Sequence, residues 1–67
     1  MIYLIKSSTT SGSARRTNGD WVVTIRTATH AIQLFFGGTV SEMKRAARKE
    51  IASLTHDPNP TVKFTKI

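Results

Sequence analysis

Residues 39–54 read TVSEMKRAARKEIASL, and this stretch decides the fold. Apolar side chains recur three and four positions apart, which predicts one amphipathic α-helix. The face predicted to meet the core carries Met43, Ala47, Ile51 and Leu54. Thr39 and Glu42 have the spacing of a capping box, in which each side chain accepts the other residue's backbone N–H. A helix with one apolar face needs a second layer to cover it.

Short β-strands are predicted around this helix. Alternating, β-branched and aromatic residues mark strands at 1–6, 21–27, 30–36 and 61–67. Residues 7–20, SSTTSGSARRTNGD, offer almost nothing to bury, and they predict a long mobile loop that ends in an Asn18-Gly19 turn. The order β-β-β-α-β predicts a single α+β domain over residues 1–67. Its sheet is expected to have three or four strands, antiparallel or mixed, with the helix on one face.

Strand parity divides the predicted sheet into two faces, because successive side chains point to opposite sides. The core set is Ile2, Leu4, Trp21, Val23, Ile25, Ile32, Leu34, Phe36, Val62 and Phe64. The outer set is Tyr3, Val22, Thr24, Arg26, Gln33, Phe35, Lys63 and Thr65. Trp21 is thus expected beneath the helix.

The chain is strongly basic, with ten Lys and Arg against four Asp and Glu, a formal charge of +6. This balance points to nucleic acid or an acidic protein surface as the partner. Cysteine is absent, which excludes disulfides and thiolate metal sites. The N-terminus lacks the apolar run of a signal peptide, and no stretch predicts a membrane span, so a cytoplasmic protein without a membrane partner is expected.

Catalytic and metal-binding patterns are absent from the sequence. The four acids are not paired as a catalytic dyad, and the two histidines, His30 and His56, have no second ligand at metal spacing. No nucleophile elbow surrounds any serine. The sequence therefore predicts a protein that is not an enzyme and that uses no cofactor.

Three basic regions are candidate contact surfaces. The first is the predicted solvent face of the helix, where like charges four residues apart repel each other. The second is the outer sheet face, where two aromatic rings are placed to stack on bases and cations to hold phosphates. The third lies in the predicted loop. In that order, the candidate residues are Lys44, Arg45, Arg48 and Lys49; Tyr3, Phe35, Arg26 and Lys63; and Arg15 and Arg16.

From Trp21 to Ile67 the chain resembles small phage-encoded accessory and regulatory proteins, in outline the T7-type inhibitors of bacterial RNA polymerase. The resemblance lies in a hairpin followed by a capped helix and a short basic strand. It involves the Thr39–Glu42 box and the Ala46-Ala47 pair. It implies a regulatory protein that acts in a phage-infected bacterial cell and binds a host protein.

Two functions follow from these patterns. The first is a small non-enzymatic protein that binds DNA or RNA through phosphates, using the helix face or the outer sheet face. The alternative is a phage-type inhibitor or adaptor that binds an acidic surface of a host protein, such as RNA polymerase or a defence complex. A homo-oligomer formed through an exposed strand edge also stays open.

Overall fold

The computed structural model describes residues 1–67 and shows an α+β fold with one helix and a five-stranded sheet. The elements are β1 Ile2–Lys6, β2 Ser11–Thr17, β3 Asp20–Arg26, β4 Ala31–Gly37, α1 Val40–Thr55 and β5 Lys63–Lys66. The sheet order is β4-β3-β2-β1-β5, and every neighbouring pair is antiparallel. The α+β class is confirmed, and the sheet has more strands than the three or four predicted.

Helix α1 begins and ends as its local sequence predicts. Thr39 is the N-cap, and both hydrogen bonds of the capping box form: Glu42 N–H to Thr39 Oγ1 at 3.2 Å and Thr39 N–H to Glu42 Oε1 at 3.0 Å. His56 adopts a left-handed conformation at the C-terminus, and its N–H bonds to the Ala52 carbonyl. Met43, Ala47 and Ile51 are fully buried, which confirms the predicted core face.

The interpretation of residues 7–20 as a long mobile loop is wrong. Seven of them form β2, which pairs with β1 over residues 11–15 and with β3 over its full length. Asn18 and Gly19 both have positive φ, as a two-residue hairpin turn of type I′ requires. Ala14 is fully buried, so this polar stretch adds a residue to the core.

The predicted parity of β1 is also wrong. Tyr3 and Ile5 face the helix, whereas Ile2 and Leu4 are 37% and 47% exposed on the other side. The register with β2 explains the reversal, because Tyr3 lies opposite the buried Ala14. The outer-face assignment of Tyr3 therefore fails.

The core lies between α1 and one face of the sheet. Eight apolar residues are buried there: Ile5, Ala14, Trp21, Val23, Ile25, Met43, Ala47 and Ile51. Trp21 has no exposed surface, and its Nε1–H donates to the Gly38 carbonyl at 3.2 Å. The predicted parity of β3, β4 and β5 is confirmed, and the second face of the sheet carries no covering layer.

Candidate nucleic-acid interface

The four cations of α1 do not form one uniform face. Arg45 and Lys49 point away from the sheet and are exposed. Lys44 is half-buried, and with Arg48 it lies on the side of the helix that faces β1 and β5. Arg45 and Lys49 therefore lie on the surface of the helix opposite the sheet, and Lys44 and Arg48 lie on the side that faces β1 and β5.

Lys44 and Arg48 lie over aromatic rings of the sheet. Lys44 Nζ lies 5.6 Å from the centroid of the Tyr3 ring and 5.7 Å from that of Phe64. Arg48 Cζ lies 5.2 Å from the Phe64 centroid. These are cation–π distances, and such contacts limit the directions that long, flexible side chains can take.

Two further cations lie on the same, helix-facing side of the sheet. Arg16, on the helix-facing side of β2, has its Cζ 5.4 Å from the centroid of the Trp21 ring. Lys66 lies opposite Tyr3 in the β1–β5 register, so it belongs to the same sheet face, and it is exposed. We call Arg16, Lys44, Arg48 and Lys66 the basic flank.

Acidic residues of the helix lie away from the basic flank. Glu42 shares a shallow pocket with Phe36 and Lys49 on the β4 side of α1. Its pKa is lowered, chiefly by the backbone hydrogen bond from Thr39, then by the Thr39 side chain and the Arg45 charge. Glu50 follows Ala46, another residue of that pocket, by four positions and so lies on the same side. The basic flank is thus free of acidic neighbours on the helix.

The uncovered sheet face, here called the open face, holds the other predicted site residues. Arg15, Arg26 and Lys63 all lie there and are exposed, and Phe35 is 68% exposed. A shallow groove of about 210 Å³ crosses its centre and is lined by Ile2, Ser13, Arg15, Val22, Thr24 and Gln33. Since Tyr3 is on the helix side, only one aromatic ring is left on this face as a stacking platform.

The structure therefore divides the predicted site residues between two opposite faces. It brings Lys44, Arg48, Arg16 and Tyr3 together on the helix side. Sequence reasoning missed Phe64 as the ring beneath the two helix cations, because it was assigned to the core alone. It also missed Lys6, which lies beside Lys63 on the open face. Alternation in β5 signals the position of Phe64, but its contact with the helix depends on the sheet order.

Two features bear on other classes of function. The structure has no group of three or more His, Cys, Asp or Glu side chains that could hold a metal ion. The single helix is neither long nor apolar enough to cross a membrane.

A separate cleft of about 610 Å³, near the ends of β1 and α1, is lined by hydroxyl, amide and charged residues and by Pro60.

Comparison with protein-family models, curated proteins and solved structures finds no match to this chain.

Proposed function

We propose that this protein binds nucleic acid without catalysing a reaction, and that the basic flank contacts the phosphate backbone. The observation that carries this proposal is that Arg16, Lys44, Arg48 and Lys66 share the helix side of the sheet around the Tyr3, Trp21 and Phe64 rings, with no acidic residue of the helix on the side that carries Lys44 and Arg48. Arg45 and Lys49, on the surface of the helix opposite the sheet, widen the positive surface. Six of the ten cations therefore lie on the helix side of the sheet.

Phosphate contacts suit this surface better than base readout does. The Tyr3, Trp21 and Phe64 rings each have a cation over them, so they are not free platforms for stacked bases. Cations without a reader of base edges give binding that varies little with sequence. Each phosphate that a Lys or Arg neutralises releases counterions, so affinity falls steeply as salt rises.

The test measures fluorescence anisotropy of labelled duplex DNA, single-stranded DNA and duplex RNA over a salt series. For duplex DNA, the slope of log K against log salt is about −0.9 per neutralised phosphate. The double variant Lys44→Glu/Arg48→Glu is expected to lose binding and to flatten the slope by about one unit per cation removed.

The matched control reverses two charges on the open face, Arg15→Glu/Lys63→Glu. Both double variants change the net charge by the same amount, so a difference between them reports position and not total charge. Helical circular dichroism and Trp21 fluorescence check that each variant is folded. Absence of binding at low salt, or equal loss in both variants, would overturn the proposal.

A second candidate function is favoured by the open face. Three of the large exposed apolar side chains, Ile2, Leu4 and Phe35, lie on it, and Lys6, Arg26 and Lys63 line one end. Exposed apolar surface with a charged rim is typical of protein-binding sites. This supports the alternative of a phage-type inhibitor or adaptor on an acidic host protein surface.

The two candidates are separated by one further variant, Ile2→Ser/Leu4→Ser. It removes apolar surface from the open face and leaves every cation in place. Loss of binding to purified bacterial RNA polymerase with unchanged nucleic-acid binding would favour the inhibitor. Wild-type protein that does not bind the polymerase would count against that target.

A further inference from the structure

The two edges of the sheet differ in how they are protected. Edge strand β5 has four residues, and Lys63 and Lys66 occupy its ends. Edge strand β4 has seven residues, AIQLFFG, without a charge or a proline, and it pairs with β3 without interruption. Exposed edges are normally blunted by Lys, Pro, bulges or short length, because a bare edge is a template for another strand. Strand β4 has none of these protections.

The hydrogen-bond pattern of the β3–β4 hairpin shows which backbone N–H and C=O groups of β4 point toward β3 and which point out of the sheet. Thr27 N–H bonds to the His30 carbonyl at 2.8 Å where the β3–β4 hairpin closes. Hydrogen-bonded and non-hydrogen-bonded pairs alternate along an antiparallel ladder. Counting from this pair, the N–H and C=O groups that point out of the sheet belong to Ala31, Gln33, Phe35 and Gly37. None of the six backbone hydrogen bonds outside the regular elements involves β4.

The side chains of β4 are apolar and incompletely covered. Phe35 is the most exposed aromatic residue of the chain, and it lies on the open face. Ile32, Leu34 and Phe36 face the helix and are only half-buried. An additional strand beside β4 would cover apolar surface on both faces of the sheet.

Charge singles out the β4 side for contact with a second copy. Two molecules of charge +6 repel each other, and three of the four cations of the basic flank, Lys44, Arg48 and Lys66, lie at the far edge beside β1 and β5. Three of the four acids lie toward β4: Asp20, whose carboxylate lies beside Gly37, and Glu42 and Glu50 on the helix. Near β4 these acids offset Arg26, Arg45 and Lys49, so repulsion between two copies is smallest there.

We propose that two copies of this chain associate through their β4 strands, antiparallel, about a two-fold axis perpendicular to the sheet. The register centred on Leu34 places Gln33 opposite Phe35 of the partner subunit and Ala31 opposite Gly37 of the partner subunit. This register uses all four outward-pointing residues of each strand and forms about eight backbone hydrogen bonds. The two five-stranded sheets become one continuous sheet with both helices on the same face.

The side chains are compatible with this register. Phe35 becomes the diagonal neighbour of Phe35 of the partner subunit, a spacing that aromatic side chains can bridge. On the helix side, Leu34 meets Leu34 of the partner subunit. On the open face, Asp20 lies in the same cross-strand row as Arg26 of the partner subunit, with Gly37 and Ala31 of the partner subunit between them. Three strand spacings, about 14 Å, separate the two positions, so their opposite charges attract each other only weakly across the interface.

The dimer does not depend on nucleic-acid binding, because it uses the opposite edge of the sheet from the basic flank. The test is sedimentation velocity over a concentration series without nucleic acid. The wild type is expected to shift from monomer to dimer as concentration rises. Gln33→Pro is expected to stay monomeric, because proline removes an outward N–H and blocks the added strand, while bonding to β3 is unaffected.

The matched control is Lys66→Pro, at an outward-pointing position of the other edge by the same alternation, since Ile67 N–H bonds to the Ile2 carbonyl. It is expected to dimerise like the wild type. Circular dichroism establishes that both variants are folded. A wild type that remains monomeric to millimolar concentration, or Gln33→Pro that dimerises normally, would overturn the proposal.

Amide hydrogen exchange on the wild type tests the register without any substitution. The Gln33 and Phe35 amides are expected to exchange rapidly in dilute protein and to slow as concentration rises. The Leu34 amide, bonded to β3 in both states, serves as the internal reference. Slowing at Phe64 and Lys66 instead would assign the contact to β5 and refute the β4 dimer.

Discussion

Gly12→Ala distinguishes the predicted loop from the observed strand, because the substitution should be nearly neutral in a mobile loop and destabilising in β2. Gly12 lies in β2, opposite Ile5 on one side and Ile25 on the other. A Cβ atom added there would overlap the Thr24 carbonyl oxygen and would lie 3.1 Å from the Thr24 carbonyl carbon and 3.2 Å from Ile25 Cα. All three are backbone atoms, so no side chain can rotate to relieve the overlap.

The expected cost follows from this geometry. Inserting an extra methyl into a packed site typically costs about 1–3 kcal/mol, and a clash with backbone on a central strand belongs at the upper end of this range. In a mobile loop the same change would alter stability little, because alanine would restrict the folded and the unfolded chain alike. A domain of this length has a total stability of about 3–10 kcal/mol, so the predicted loss is a large share of it.

Urea and thermal denaturation followed by Trp21 fluorescence measure the effect, since Trp21 is the only tryptophan and is fully buried. Each kcal/mol lost lowers the Tm by about 4–8 °C at this size. Ser13→Ala is the matched control, because its side chain lies on the open face, and it should change stability by less than about 0.5 kcal/mol. Gly12→Ala with stability equal to or above that of the wild type would refute the packing of β2 against β3.

Three further predictions concern the core and the helix cap. Trp21→Ala should cost about 3–5 kcal/mol in denaturant unfolding and leave little folded protein, whereas Trp21→Phe should cost less; a folded Trp21→Ala that loses only ligand binding would contradict its place in the core. Thr39→Ala should lower unfolding free energy by about 0.5–2 kcal/mol, since the Glu42 N–H loses its acceptor; an unchanged midpoint would show that the cap contributes nothing. The pKa of Glu42 is lowered in the folded state, so its stabilising effect is complete above the ordinary value of 4.5 and is lost as pH falls through the lower folded-state value. Glu42→Gln, which keeps an acceptor for the Thr39 N–H, should flatten the acid side of the stability–pH curve, and a curve identical to that of the wild type would exclude this contribution.

The helix and the β3–β4 hairpin could be predicted from sequence because local interactions determine them. Thr39 and Glu42 satisfy each other within one turn of helix. The alternation of β3 is strong enough to place Trp21 correctly in the core without knowledge of its neighbours. In both elements the residues that decide the structure are close together in the chain.

Strand β2 could not be predicted in this way, because its sequence, SGSARRT, carries little β propensity. Its conformation is imposed by the strands on either side, whose backbone groups it satisfies. Gly12 allows the close approach of β3, and Ala14 fills the small space opposite Val23. Tertiary context thus outweighs local preference for this strand.

The error in β1 has the same origin. Ile2, Tyr3, Leu4 and Ile5 are all apolar or aromatic, so alternation alone does not show which side faces the core. The register with β2 decides it, and β2 was missing from the prediction. Phe35, Arg45, Arg48 and Lys49 were identified correctly as exposed, but Lys44 is half-buried. Tyr3 lies on the opposite face from the one predicted, with the rest of the strand.

The position of β5 in the sheet accounts for both the basic flank and the unpaired edge of β4. The chain could have ended by placing β5 beside β4, which would have covered that edge. Instead β5 pairs with β1, so Phe64 and Lys66 meet the side of α1 that carries Lys44 and Arg48. The same placement that gathers cations at one side of the sheet leaves β4 unpaired at the other. Contact with a polyanion at one edge and with a second copy at the other therefore do not compete for the same surface.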